Sequence, residues 1–202
     1  MTPSSLINDV SGGQRDPRIL KVVAELGVPY VVMHTRGDPS TMQSDENLQY
    51  GDLGCEIASE LYTKVREAEL SGIPLWRIIV DPGIGFSKKS GDNLEVIAGL
   101  RSIRRGMGKT SIGASHAPIL LGTSRKSFLG DICHHANPAE RDHVTLGCVT
   151  VGVWCGANIV RVHNARYGAD GAKLGDAFRK SSLYFFLKSY KSSRFVQANY
   201  DA

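Results

Sequence analysis

Five short apolar runs, each stopping on polar or charged residues and each followed by a stretch with helical spacing, set the limits on how this chain folds. They are Leu6-Ile-Asn-Asp9, Pro29-Tyr-Val-Val-Met-His34, Arg77-Ile-Ile-Val-Asp81, Pro118-Ile-Leu-Leu-Gly122 and Asn158-Ile-Val-Arg-Val-His163. Unbroken apolar strands belong to parallel sheets, whose crossover helices bury both faces. The intervening stretches supply those helices. Asp16-Pro17 opens the first, with Ile19, Val22, Val23 and Leu26 on one face and Gly27 at its end. Leu53, Ile57, Leu61 and Val65 mark a longer one ended near Gly72. Asp92, with Glu95 three residues on, starts a helix carrying Leu94, Ile97 and Ala98. Asn137-Pro138 with Glu140 leads into Val144, Cys148, Val151 and Cys155 before Gly156, and a last helix falls around Asp170 to Lys180. The alternation predicts an α/β fold with catalytic groups gathered at the C-terminal ends of parallel strands. A (β/α)8 barrel of the TIM type needs eight strands. With five strand-helix units, the expectation is an open sheet or an incomplete barrel lacking its first three units.

At 202 residues and 42% hydrophobic content, the chain has material for one core, placed at residues 1–180. Residues 181–202 read as a tail, in which Leu183-Tyr-Phe-Phe-Leu187 either packs as a terminal helix or frays. The net charge of +4 is mild, and Lys and Arg are dispersed without interleaved aromatics, which argues against nucleic acid. Cys55, Cys133, Cys148 and Cys155 form no C-x-x-C pair, so a reducing compartment is expected rather than a disulfide framework. No run approaches the roughly 18 apolar residues of a membrane span. A signal-peptide pattern is absent from the N-terminus. The expected compartment is cytoplasmic, with a mitochondrial location as the alternative, because a targeting peptide would precede a chain that starts inside a strand.

The centre of the chemistry is Asp81-Pro-Gly-Ile-Gly-Phe86, where a buried strand ends on a carboxylate and breaks into a turn. On this stretch alone Asp81 is either a turn-capping residue or a ligand. Parallel strands would bring it together with Asn8, Met33, His34, Lys126, Arg161 and His163. Asp81 accepts two hydrogen bonds from an N–H and amino pair, Lys126 donates to a ring carbonyl or nitrogen, and Arg161 with His163 grips phosphate oxygens. Each has a plainer reading. Asn8 serves equally as a turn residue, His34 is better read as a satisfied structural histidine, and Cys133-His134-His135 as a solvated loop. Gly106-Met-Gly-Lys-Thr110 lacks the upstream glycine of a phosphate loop and reads as a surface turn.

Asn8-Asp-Val-Ser-Gly-Gly13, Met33-His-Thr-Arg-Gly-Asp-Pro-Ser-Thr-Met-Gln43, Asp81-Pro-Gly-Ile-Gly-Phe86, Gly122-Thr-Ser-Arg-Lys-Ser-Phe128 and Arg161-Val-His163 resemble, in that order, the motifs of dihydropteroate synthases. The resemblance implies a (β/α)8 barrel that joins 6-hydroxymethyl-7,8-dihydropterin diphosphate to p-aminobenzoate in folate synthesis. It assigns Asn8, Asp81 and Lys126 to the pterin ring, Met33 and Gly122 to its surroundings, Arg161 and His163 to the diphosphate, and Phe86 and Ser127 to the p-aminobenzoate. Of these, Lys126, Arg161 and His163 would act in catalysis. It also implies Mg2+, with the metal-contacting Asn in a segment upstream of this chain, a homodimer, and a fused or complementing N-terminal segment. Asn164 stands where many members of the family have Asp. A pterin-dependent methyltransferase of the same barrel superfamily would keep Asp81 and Asn8 but has no reason to keep Ser124-Arg-Lys-Ser-Phe128. A non-catalytic pterin-binding fragment or partner subunit is the other alternative.

Overall fold

The computed structural model describes residues 5–16 and 18–197, with side-chain surroundings described as far as residue 181. In chain order the elements are β1 (Ile7–Asp9), α1 (Arg18–Leu26), β2 (Tyr30–Met33), α2 (Leu53–Leu70), β3 (Ile78–Asp81), α3 (Ser90–Ala98), α4 (Leu100–Thr110), α5 (Ile112–Ser115), β4 (Leu120–Leu121), α6 (Ser127–Cys133), α7 (Asp142–Cys155), β5 (Ile159–Val160) and α8 (Ala165–Gln197). All ladders are parallel. One sheet runs β1-β2-β3 and another pairs β4 with β5. A single parallel bridge between Val80 and Ile119 joins the two.

The strands are short and their side chains alternate, so the sheet has two unlike faces. Tyr30, Val32, Ile78, Val80, Ile119 and Leu121 point into the main core, where Ile57, Leu61 and Val65 of α2 and Leu100, Ile103 and Met107 of α4 cover them. On the other face the buried apolar cluster is only Val31, Ile79 and Leu120. Asn8 on that side is exposed. A closed barrel would cover this face with further strands, whereas the described residues form a parallel α/β sheet that does not close.

Helices depart from the one-strand, one-helix rhythm. Three helices, α3, α4 and α5, lie between β3 and β4. Gly106-Met-Gly-Lys-Thr110 is the end of α4 rather than a surface turn, and Met107 is buried. The physical reason is close packing: a Cβ on Gly106 would stand 2.7 Å from the Ala58 Cβ of α2, and one on Gly108 3.1 Å from the Ser115 Cβ. Glycines that read as turn punctuation therefore let α4 approach its neighbours. Asp92 does not open α3. That helix begins at Ser90, and the Asp92 Oδ2 accepts the Lys89 N–H at 2.8 Å. α7 starts at Asp142 after a 3-10 turn over Pro138–Arg141 and ends on Gly156 at φ 120°. Pro17 lies outside the described residues, but Asp16 accepts the Arg18 N–H at 3.1 Å as a helix-opening residue does. α8 runs far beyond Lys180, along Ala165–Gln197. The side chains of Leu183 to Leu187 lie outside the described ones. No helix among the described residues is long and apolar enough to cross a membrane.

Candidate functional site: a recess at the strand ends

β3 ends on Asp81 and cannot continue, because Pro82 removes a donor and Gly83 turns the chain at φ 73°. The turn folds back so tightly onto β2 that a Cβ on Gly83 would lie 2.0 Å from the His34 carbonyl oxygen. Only glycine permits both the φ and the approach. The turn places Asp81 behind Phe86 in one recess, lined also by Asn8, Val10, Met33, Ile84, Gly122, Lys126 and Arg161. Four of the five strand ends contribute a predicted residue by its position: Asn8 from β1, Met33 from β2, Asp81 from β3, and Arg161 just after β5. Gly122 and Lys126 come from the loop that follows β4.

Asp81 is 6% exposed. Its Oδ1 accepts the Gly83 N–H at 2.7 Å, and Oδ2 accepts no hydrogen bond among the described residues. Burial pushes its carboxyl up to about 6, against the pull of the Gly83 N–H and of the Lys88, Lys126 and Arg161 cations. Lys126 precedes α6 and holds its Nζ 4.2 Å from the centroid of the Phe86 ring. Burial lowers the pKa of Lys126, and Asp81 opposes that. A carboxylate with a free oxygen, an ammonium over an aromatic face and a guanidinium make a recess suited to a flat polar ring carrying an anionic group.

His163 and Ser127 stand at the margin. His163 is exposed, with its backbone N–H 3.2 Å and its Nδ1 2.9 Å from the Ser124 Oγ. That contact holds the ring through Nδ1. Ser127 is the exposed first residue of α6, next to Lys126. Neither lines the recess.

A scan against family descriptions matches residues 3–163 to the pterin binding enzymes. The chain belongs to the pterin-binding enzyme family. Among curated relatives, the mitochondrial folate synthesis bifunctional protein of Pisum sativum is 59% identical over 175 residues, 87% of this chain but 34% of the relative. Of solved structures, the dihydropteroate synthase of Thermus thermophilus in complex with 4-aminobenzoate superposes with a TM-score of 0.73 at 32% identity, covering 87% of this chain and 66% of that one. The Xanthomonas albilineans enzyme in complex with 7,8-dihydropteroate gives a TM-score of 0.71 at 30% identity, covering 85% of this chain and 58% of that one. The chain therefore spans about a third of that curated relative and between 58% and 66% of those structures. The solved enzymes support a barrel-type fold, of which the described residues form an incomplete part.

The Mg2+ implied by the resemblance finds no fit among the described side chains. The recess lining sets one carboxylate against two cations, Lys126 and Arg161, and no group of three or more His, Cys, Asp or Glu among the described residues is arranged to hold a metal.

Reading the sequence missed the buried charges behind the recess. His34 is fully buried, as its structural reading requires, but its partners are ionisable: Nε2 lies 3.0 Å from Glu60 and Nδ1 3.0 Å from the Lys88 Nζ. Because the lysine donates to Nδ1, the ring carries its hydrogen on Nε2 and donates to Glu60. Burial, ahead of all other causes, drops His34 to about 4, so it is neutral. Burial alone would raise Glu60, yet the His34 and Arg36 hydrogen bonds bring it down to about 2. Arg36 also bonds Glu56 at 2.7 Å and stacks 4.0 Å from the Tyr50 ring centroid. Lys64, equally buried, donates to the Ser11, Met33 and Thr35 carbonyls at 3.3, 3.1 and 3.3 Å, tying the ends of β1 and β2 to α2. A signal existed. Glu60 and Lys64, four apart, sit beside the apolar Ile57-Leu61-Val65 stripe, where a fully solvated face is not expected.

Proposed function

We propose that this chain carries the pterin and p-aminobenzoate side of a dihydropteroate synthase site, a transferase of folate biosynthesis. The observation that carries the reading is the convergence of Asp81, Lys126 and Arg161 with Asn8, Met33, Phe86 and Gly122 in one recess at the ends of parallel strands. The names of the relatives and the 4-aminobenzoate and 7,8-dihydropteroate in the similar solved enzymes support it.

Asp81 accepts from the amino and ring N–H edge of the pterin through its free oxygen, Asn8 and Lys126 hold the opposite polar edge, and Met33 packs on the ring. Arg161 and His163 take the diphosphate. The bond between the pterin methylene and the bridging oxygen breaks with its electron pair leaving on diphosphate. The lone pair of the p-aminobenzoate amine then forms the new C–N bond, and the amine sheds a proton to solvent. Phe86 and Ser127 flank the incoming ring. The protein supplies no nucleophile; it positions the reactants and stabilises the leaving charge. Incubating the purified chain with both substrates and Mg2+ tests this: dihydropteroate and diphosphate should form in equal amounts, and absence of both together with absence of pterin binding overturns the reading.

A second reading, pterin binding without turnover, is favoured by one observation. Asn8, Arg161 and His163 are exposed on an uncovered face. Calorimetric pterin binding with no diphosphate release would select it. β1 and β5 are also sheet edges among the described residues; Val10, just after β1, is 41% exposed and Ile159, within β5, is 36% exposed. Open edges pair with other chains. The pure chain should therefore self-associate, as a homodimer or with a complementing segment, and a concentration-independent monomer in sedimentation would contradict this.

Pterin binding should also weaken in acid. Asp81 titrates near 6, and once protonated it presents an O–H donor to the donor edge of the pterin and loses its charge, so affinity should fall about tenfold per pH unit below that point. A binding curve flat from pH 7 to 5 would remove Asp81 from the contact.

A further inference from the structure

We propose that Lys88 is a positioning residue of the pterin site: from behind the Asp81 turn it clamps the Gly83 and Phe86 carbonyls and supplies the charge that keeps Asp81 a carboxylate. The inference rests on the pterin reading of the recess and adds to it a residue outside the recess lining.

The geometry is specific. Lys88 is 4% exposed, and all three of its N–H donors are engaged: the Gly83 oxygen at 3.1 Å, the Phe86 oxygen at 3.0 Å and the His34 Nδ1 at 3.0 Å. The two carbonyls are the two ends of the turn that carries Asp81 at its start and the Phe86 ring at its finish. One ammonium thus closes the turn, and the imidazole that receives its third bond is itself pinned to Glu60. Ser87 adds a second pin. It is fully buried at φ 50°, its Oγ donates to the Arg36 oxygen at 2.6 Å and accepts the Arg36 N–H at 2.9 Å, and its own carbonyl accepts the Tyr50 hydroxyl at 2.7 Å. A side chain held in so many directions has one position.

A buried ammonium is costly unless its charge is used. The charged groups facing Lys88 are Asp81, Glu60 and Asp92, which favour its proton, and Arg36, which opposes it. Asp81 in turn faces Lys88, Lys126 and Arg161. Lys126 and Arg161 stand on the ligand side and become engaged when substrate arrives. Lys88 alone is placed behind the carboxylate and is available to it in every state. Burial brings Lys88 down to about 7, near the titration of Asp81, and the charge of each acts on the other, so the two titrations are coupled.

The test is the ionisation of Asp81 itself, read by 13C NMR of its carboxyl carbon in the whole chain without ligand, so that it is independent of whether pterin binds. In the unmodified chain the resonance should show its main step near pH 6 and a second, smaller inflection as Lys88 loses its proton. In Lys88→Gln, which keeps amide donors for the carbonyls, and in Lys88→Met, which keeps only the stem, the main step should move up by at least one pH unit. Where pterin binding is measurable, its acid limb should move by the same amount, and restoring pH should restore affinity in Lys88→Gln more fully than in Lys88→Met. A clamp without an electrostatic role would lower affinity at every pH and leave the midpoint in place, which overturns the proposal. If neither variant folds, a single-step Asp81 titration in the unmodified chain overturns it equally. Failure of the pterin reading appears separately, as normal coupling of Asp81 to Lys88 with no pterin binding.

Discussion

Replacing Asp81 with Asn should weaken pterin binding by a factor on the order of 10² to 10³, because removing the charge from one side of a buried, hydrogen-bonded pair costs about 2–5 kcal/mol. The amide oxygen of Asn can still accept the Gly83 N–H, now 2.7 Å from Oδ1. Its NH2 group, however, meets the donor edge of the pterin with another donor. Stability should move little or rise. The folded carboxyl titrates near 6 against an ordinary 3.8, so ionising it costs nothing below pH 3.8 and its full penalty above pH 6. Asn removes that penalty. Lys88, already held down to about 7, then gives up its proton more readily instead of remaining an unpaired buried charge. Calorimetric titration with the pterin substrate and a thermal melt on the same sample separate the two effects. A variant that melts well below the parent and binds normally would place the role of Asp81 in the fold and not in the site.

Gly83→Ala should do the reverse, failing through structure first. At φ 73° an L side chain costs about 1–2 kcal/mol. The new Cβ would stand 2.0 Å from the His34 carbonyl oxygen, which is backbone and cannot rotate away. Separating them shifts β2 against the turn, an overpacking cost of about 1–3 kcal/mol. The sum is about 2–5 kcal/mol, and the same shift pulls the Gly83 carbonyl from Lys88 and the N–H from Asp81. Urea unfolding should show the midpoint fall with little change in slope. Pterin affinity should drop with it. Gly122→Ala is the control: it lines the same recess, yet a Cβ there meets nothing within 4 Å, and its stability should be close to the parent's.

The strand pattern was legible because its cause is local. Ile78, Ile79 and Val80 are β-branched and stop at Asp81-Pro82-Gly83, a local pattern of strand then turn that the structure follows. The amphipathic stripe of α2 is another. The recess followed from the same logic, since parallel strands bring their ends together wherever the connections run. Lys126 and Arg161 reach Asp81 in the structure for that reason.

Other features depend on contacts between residues far apart in the chain. Gly106 carries no local sign of whether it turns the chain or lets two helices touch; Ala58, almost fifty residues away, decides it. His163 and Ser127 share strand-end and loop positions with the residues that line the recess, but the Ser124 bond and the start of α6 leave both at its rim. The charge behind the turn is the clearest case. Lys88 follows the Asp81 stretch as one more polar residue after a glycine-rich loop, and nothing in its neighbours announces burial. Its environment is assembled from the turn itself, His34 at the end of β2 and, behind His34, Glu60 of α2, because a desolvated ammonium is tolerable only where enough acceptors converge. The sequence by itself determined which residues stand at the strand ends, through patterns repeated every two or every three to four residues. Tertiary structure alone decided which of them face one another and at what charge, because burial and ion pairing depend on distances that no local pattern encodes.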